Sequence, residues 1–172
     1  MATILVIDDE ESIRFTFERF LRAKGHTVLT ARDCREALTT IAEASPDVIV
    51  ADIILEDGTG IDILREIRQR GLNCLTIMIT GAPNVETAAE AVRLGAFDYI
   101  PKPVTEQALL RATGTALRYK AVNDEKERYR SNLEAIFKSV KDVIITVDPD
   151  GVVIELNEAA MKGYGFSRET IG

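Results

Sequence analysis

Two hydrophobic rhythms alternate over the first hundred residues. Thr3–Ile7 (TILVI), Asp47–Ala51 (DVIVA) and Leu75–Ile79 (LTIMI) are short continuous apolar runs, the pattern of strands buried on both faces. Thr27–Thr30 and Phe97–Ile100 are shorter runs of the same kind. Between the runs, apolar residues recur at helical spacing: Ile13, Phe17, Phe20 and Leu21 within Ser12–Lys24, then Ala37, Leu38 and Ile41, then Ile61, Leu64 and Ile67, then Val85–Leu94. Gly25, Gly71 and Gly95 stand where a glycine ends a helix. Asp33 offers an N-cap to the second helix, with Glu36 at the capping-box position. Five strands, each followed by a helix, predict right-handed βαβ units and a parallel sheet, an α/β fold.

After Val104 the rhythm changes. From there to about Lys141 there is no proline and Gly114 is the only glycine, so one long helix is expected. At roughly 1.5 Å per residue it extends about 50 Å, too far for one compact domain. Heptad phasing puts Ala112, Tyr119, Lys126, Leu133 and Val140 at a, and Ala108, Thr115, Val122, Tyr129 and Ile136 at d; eight of these ten are apolar. That pattern predicts a coiled-coil seam and a homodimer formed through residues 122–141, with Lys126 as its weak point. A third rhythm follows. Asp142–Val147 and Val152–Leu156 read as strands joined by the turn Asp148-Pro149-Asp150-Gly151, with a short helix near Asn157–Lys162. Two strands and a helical turn do not make a core.

Composition narrows the function classes. The 172 residues carry 21 Lys+Arg against 28 Asp+Glu, a net charge of −7, which argues against non-specific nucleic-acid binding. No helix-turn-helix pattern is present, and no apolar run reaches membrane-spanning length. The N-terminus lacks a basic segment and meets Asp8 and Asp9 early, unlike a signal peptide. Cys34 and Cys74 show no CxxC spacing, which suits a reduced cytoplasmic protein. Nucleic acid and membrane are therefore not expected partners.

In a doubly wound sheet, sites form at the carboxyl ends of the strands. The predicted strands end in Asp8 and Asp9, Asp52, Thr80 and Lys102. Each has an ordinary use alone, as a cap, a turn former or a solvated charge. Together they converge three carboxylates, a hydroxyl and an ammonium on one edge. Clustered carboxylates call for a counter-charge, and a hard divalent cation such as Mg²⁺ supplies one. A carboxylate can also attack phosphorus to give an aspartyl phosphate. Lys102 and the Thr80 hydroxyl would then meet the developing oxygen charge. Asp52, leaving a buried strand several residues before the next helix, is the best placed nucleophile.

Val6-Ile7-Asp8-Asp9-Glu10, Asp52-Ile53-Ile54-Leu55, Ile79-Thr80-Gly81 and Tyr99-Ile100-Pro101-Lys102-Pro103 resemble the receiver domain of bacterial two-component response regulators, over residues 1–121. The resemblance implies a flavodoxin-like fold with strand order 2-1-3-4-5. It implies that Asp52 accepts a phosphoryl group from the phosphohistidine of a histidine kinase or phosphotransfer protein. It further implies Mg²⁺ held by Asp9, Asp52 and the backbone carbonyl of Ile54, with Asp8 acting through water. Thr80 and Tyr99 match the family's switch pair, and the bond between Lys102 and Pro103 matches its cis peptide. On this reading the domain is a regulatory phosphoacceptor and not an enzyme. Two positions depart from the pattern. Glu56 stands where the family usually has proline, implying a more mobile and more acidic loop. Ile54 and Ala82 occupy positions that tune hydrolysis, and neither side chain can orient water, so slow autodephosphorylation is expected.

The tail resembles the opening of a PAS sensor domain, through Asp142–Asp148, Asp150-Gly151, Asn157-Glu158-Ala159-Ala160 and Gly163-Tyr164-Gly165-Phe166-Ser167. Only about its first third would fall within residues 142–172, which implies part of a longer signalling protein. A haloacid-dehalogenase-like phosphatase would need Asp-x-Asp after the first strand, where Asp8-Asp9-Glu10-Glu11 stands. A purely structural dimerisation module is the other alternative. There is no Walker-type loop, and His26 is the only histidine, which gives no support to a Ser-His-Asp triad.

Overall fold

The computed structural model describes residues 1–164; the part of the PAS resemblance from Gly165 onward lies outside them. The chain divides into two compact units, Met1–Ala121 and Val122–Gly172. The first contains β1 (Thr3–Ile7), α1 (Glu11–Arg22), β2 (Thr27–Ala31), α2 (Cys34–Ala44) and β3 (Val48–Asp52). The two-residue strands β4 (Ile54–Leu55) and β5 (Gly58–Thr59) follow, then α3 (Gly60–Gln69), β6 (Leu75–Thr80), α4 (Val85–Arg93) and β7 (Asp98–Pro101). α5 runs from Glu106 to Ser139 and crosses the boundary between the units.

The main sheet has five parallel strands in the order β2-β1-β3-β6-β7. Counted among its own members this is second, first, third, fourth, fifth. The count along the chain differs from the expected one because β4 and β5 form a separate antiparallel ladder, pairing Ile54 with Thr59 and Leu55 with Gly58. Two residues are too few to show a period, so the sequence could not announce them.

Residue alternation sends each strand's side chains to two cores. Ile4 and Val6 of β1, Val48 and Val50 of β3, and Ile77 and Ile79 of β6 pack with Phe17 and Leu21 of α1 and Leu109, Ala112 and Ala116 of α5. Leu5, Ile7, Ile49, Ala51 and Met78 face the other way, against Ala37 and Ile41 of α2 and Ile61, Leu64 and Ile67 of α3. Both faces are covered, as an all-parallel sheet requires. Ala112 was expected in an intermolecular seam. It is instead buried in the core of this unit, because the first turns of α5 spend their apolar face on the sheet.

Local chemistry sets the helix ends. The Asp33 carboxylate accepts from the Glu36 N–H at 2.8 Å, while Glu36 accepts from the N–H of Arg32 at 2.9 Å. Thr59 and Asn84 cap α3 and α4. Gly25, Gly71 and Gly95 have φ of 82°, 62° and 83°, a backbone region closed to most side chains.

In the second unit, β8 (Ile145–Val147) and β9 (Val153–Leu156) pair antiparallel ahead of α6 (Glu158–Tyr164). The first strand is shorter than the sequence pattern suggests, since residues before it bond to Asn157 and not to β9. The fully buried Asn157 amide accepts from the N–H groups of Ile144 and Ala160, both at 3.0 Å, and donates to the carbonyls of Val140 and Asp142 at 3.2 and 2.8 Å. At the hairpin turn, the Asp148 carboxylate accepts from the N–H groups of Asp150 and Val152 at 3.0 and 2.8 Å, and Gly151 supplies a φ of 86°.

Candidate functional site

The carboxyl ends of β1, β3, β6 and β7 bring Asp8, Asp52, Thr80 and Lys102 to one edge of the first unit's sheet. Parallel pairing aligns the strands so that Asp52 lies opposite Ile79, one residue before Thr80, and Thr80 lies opposite Pro101. As an edge strand, β7 tolerates Pro101, which has no N–H to donate. Lys102 donates its backbone N–H to the Thr80 carbonyl at 2.7 Å, and the Lys102–Pro103 bond is cis. The Lys102 ammonium reaches the Asp52 carboxylate at 2.5 Å and the Asp8 carboxylate at 2.9 Å. Asp8 and Asp52 are buried, whereas Asp9 is exposed at the rim.

One cation thus serves several anions. Oxygens of Asp8, Asp9 and Asp52 lie within 4.8 Å of one another, and Glu10 stands a further 3.7 Å from Lys102. Burial pushes the Asp8 carboxyl above its ordinary range; hydrogen bonds from Lys102 and the Glu10 N–H oppose this only in part. Burial works against the Lys102 ammonium, but its bonds to Asp52 and Asp8 outweigh that and hold its pKa above the ordinary lysine value. Three carboxylates on one ammonium leave a surplus of negative charge at an all-oxygen donor set. That combination suits a hard divalent cation.

The surrounding loops hold these groups in place. Asp52 accepts from the N–H of Ile54 at 3.1 Å, and the N–H of Ile53 reaches the Ile79 carbonyl at 2.8 Å. Gly60 packs so closely on this turn that a Cβ would overlap the Asp52 carbonyl oxygen and approach the Met78 methyl to 2.8 Å. Side chains at Ile54 and Ala82 are exposed at the mouth. The Thr80 hydroxyl is buried and accepts from the Ala82 N–H at 3.1 Å. Tyr99, half-buried, shares a 3.1 Å hydrogen bond with Thr87 of α4.

Two contributors were missed in the sequence. Arg14 donates to the backbone carbonyls of Asp8 and Asp9 at 2.6 and 2.9 Å, pinning the turn that carries both acids. An arginine on an amphipathic helix gives no signal of such a contact. Asp57 accepts from the N–H groups of Cys34 and Arg35 at 2.8 and 3.3 Å, so it ties the loop after Asp52 to the start of α2. These backbone bonds hold the Asp57 carboxyl below the usual carboxylate value. With the β4–β5 ladder, Asp57 tethers the loop that the sequence suggested was loosened by the lack of proline at position 56.

A five-stranded, doubly wound sheet with an acidic, lysine-bridged cluster at its carboxyl edge defines a flavodoxin-like α/β domain. Residues 4–113 match the response regulator receiver domain family, and the chain belongs to that family. It is 33% identical over 121 residues to the response regulator MprA of Mycolicibacterium vanbaalenii, covering 70% of this chain and 52% of that protein. It is 37% identical over 100 residues to the transcriptional regulator NtrC of Escherichia coli K12, covering 58% of this chain and 21% of that one. The chain therefore spans about half of the first relative and about a fifth of the second. Among solved structures, a receiver domain protein from Clostridium thermocellum aligns with TM-score 0.67 at 38% identity, over 71% of this chain and 98% of that one. The beryllofluoride-activated NtrC4 receiver domain dimer aligns with TM-score 0.66 at 33% identity, over 70% and 99%. No helix among the described residues is long and apolar enough to cross a membrane.

Proposed function

We propose that Asp52 accepts a phosphoryl group from the phosphohistidine of a histidine kinase or phosphotransfer protein, and that the phosphorylated state is relayed through α5 to the second unit. The observation that carries this is the contact of one half-buried lysine with both buried carboxylates, Asp52 and Asp8, beside Asp9. A carboxylate oxygen of Asp52 attacks phosphorus, the imidazole departs, and an aspartyl phosphate remains. Lys102 is placed to follow a phosphoryl oxygen as charge leaves the Asp52 carboxylate, and the Thr80 hydroxyl to meet another. Asp9, Asp52 and the Ile54 carbonyl would hold Mg²⁺, with Asp8 acting through water; the ion, when bound, neutralises phosphoryl charge.

Thr80 and Tyr99 serve as the switch. Turning the Thr80 hydroxyl toward the phosphoryl group gives up its bond from Ala82, and a shift of the Tyr99 ring gives up the bond to Thr87, altering the face of α4, β7 and α5. Moving the population from mostly off to mostly on needs about 5.5 kcal/mol of differential stabilisation. The second unit is read as the opening of a PAS sensor domain, and residues 122–141 as a dimerising helix. The setting is cytoplasmic.

Incubation with acetyl phosphate and Mg²⁺, followed by intact mass measurement, tests the assignment. The expected result is addition of one phosphoryl group that is abolished by Asp52→Asn and by chelation. Chased without donor, the group should leave slowly, since Ile54 and Ala82 cannot orient a water, and Ile54→Asn should speed its loss several-fold. Undiminished labelling of Asp52→Asn overturns the proposal.

A further inference from the structure

Along α5 from Val122, the side of the helix that the heptad places inward carries Val122, Tyr129, Leu133 and Ile136, each between 59% and 68% exposed. The outward positions carry Asp124, Glu127, Arg128, Glu134 and Lys138, with an i,i+4 ion pair between Glu134 and Lys138 at 2.7 Å. The helix is thus two-sided, with no covering of the apolar side among the described residues.

The flanks of this stripe are selective. Counting Lys126 as a, the g positions within the stretch are Glu125, Asn132 and Ser139, and the e positions are Asn123, Arg130 and Phe137. Each flank bears one charge, negative on g and positive on e. In a parallel, in-register pair, each g residue lies beside the e residue five positions later on the other helix. Glu125 then meets Arg130 of the second copy, and symmetry supplies this ion pair twice. An antiparallel pair sets g against g and e against e, and so leaves Glu125 and Arg130 apart. Neither residue has an ion-pair partner of its own among the described residues. A single polar residue at an a position, here Lys126, fixes register and oligomer state at some cost in stability.

We infer that the stripe Val122–Ile136 packs on the same stripe of a second copy of this chain, as a parallel, in-register, two-stranded coiled coil whose direction is set by Glu125 and Arg130. This rests on the dimerising role proposed for the helix and adds its direction, register and strand number. The second copy is the occupant because the stripe is complementary to itself: the apolar row repeats in register, and the one acidic flank position finds the one basic one.

The test uses the full chain and sedimentation velocity at low salt, with helicity followed by circular dichroism. The wild type should dimerise. Glu125→Lys and Arg130→Glu should each weaken the dimer about tenfold by setting like charges together twice. The doubly exchanged chain, E125K/R130E, should regain wild-type affinity, and a mixture of the two single variants should form the mixed dimer in preference. Lys126→Cys and Leu133→Cys, each oxidised alone, should both cross-link between copies. A dimer indifferent to the single exchanges, or one that cross-links at only one of the two positions, overturns the parallel register while leaving dimerisation standing. A wild type that is monomeric at all concentrations overturns the dimer reading itself.

Discussion

The two units treat the same residue types in opposite ways. Ile77 and Ile79, in the middle of the five-stranded sheet, are 0% and 1% exposed, whereas Ile145 and Ile154 of the hairpin are 43% and 56% exposed. The difference is one of coverage. The central strands β1, β3 and β6 have a strand on either side and helices on both faces, so the first unit buries its own apolar surface. The described part of the second unit has two strands and one short helix, and among residues 142–163 only Leu156, Asn157 and Ala160 are buried. Two strands are marginal without further layers. The first unit therefore rests on two apolar cores, and the described part of the second on one hairpin and a buried polar side chain.

The largest effect should come from emptying the core of one unit and not the other. Ile77→Ala is expected to cost about 2–5 kcal/mol, as large-to-small changes in packed cores do. Ile154→Ala, at a half-open position, should change stability by no more than about 0.5 kcal/mol. Urea unfolding of both variants measures the contrast. Equal losses would break the comparison, since they would mean that the hairpin face is covered in solution.

A smaller effect is expected at the site. Lys102→Met removes the one ammonium that contacts both buried carboxylates, and breaking a buried pair by deleting one partner typically costs about 3–5 kcal/mol. Lys102 is partly open to solvent and Asp8 can take up a proton, so a loss near about 3 kcal/mol is expected in chelator. Added Mg²⁺ should recover more stability in this variant than in the wild type, because the carboxylates then lack any other cation. Thermal unfolding with and without Mg²⁺ reads both. An identical response to Mg²⁺ in the two proteins would show that the acidic cluster does not hold the ion.

How legible each unit was follows from the same contrast. Strands such as Thr3–Ile7 and Val48–Asp52 are continuous apolar runs because both faces of the sheet are covered, so their pattern shows in the sequence within a residue or two. Asp8, Asp52, Thr80 and Lys102 were legible as a group because a parallel sheet puts all its strand ends on one edge. Arg14 and Asp57 were not, since their partners are backbone groups whose positions exist only after folding. The heptad count took in Ala112 because periodicity reports that a face is buried and not what buries it. In the second unit, the Asn-x-Ala-Ala run was visible, but the amide's four bonds were not.

Those four bonds give the sharpest local test of the comparison. The buried Asn157 side chain joins the end of α5, the approach to β8 and the first turn of α6 through Val140, Asp142, Ile144 and Ala160. A polar node here takes the place of an apolar core. Asn157→Ala strands two N–H groups and two carbonyls, and leaving buried groups unsatisfied costs about 1–3 kcal/mol. Asn157→Asp should retain the acceptor role toward Ile144 and Ala160 but lose both donations, placing it between wild type and alanine. Hydrogen exchange locates the effect: the amides of Ile144 and Ala160 should lose protection in the alanine variant, while those of β1 and β3 keep theirs. If protection fell equally in the sheet, the two units would unfold as one, and the stability of the receiver domain would depend on a side chain outside it.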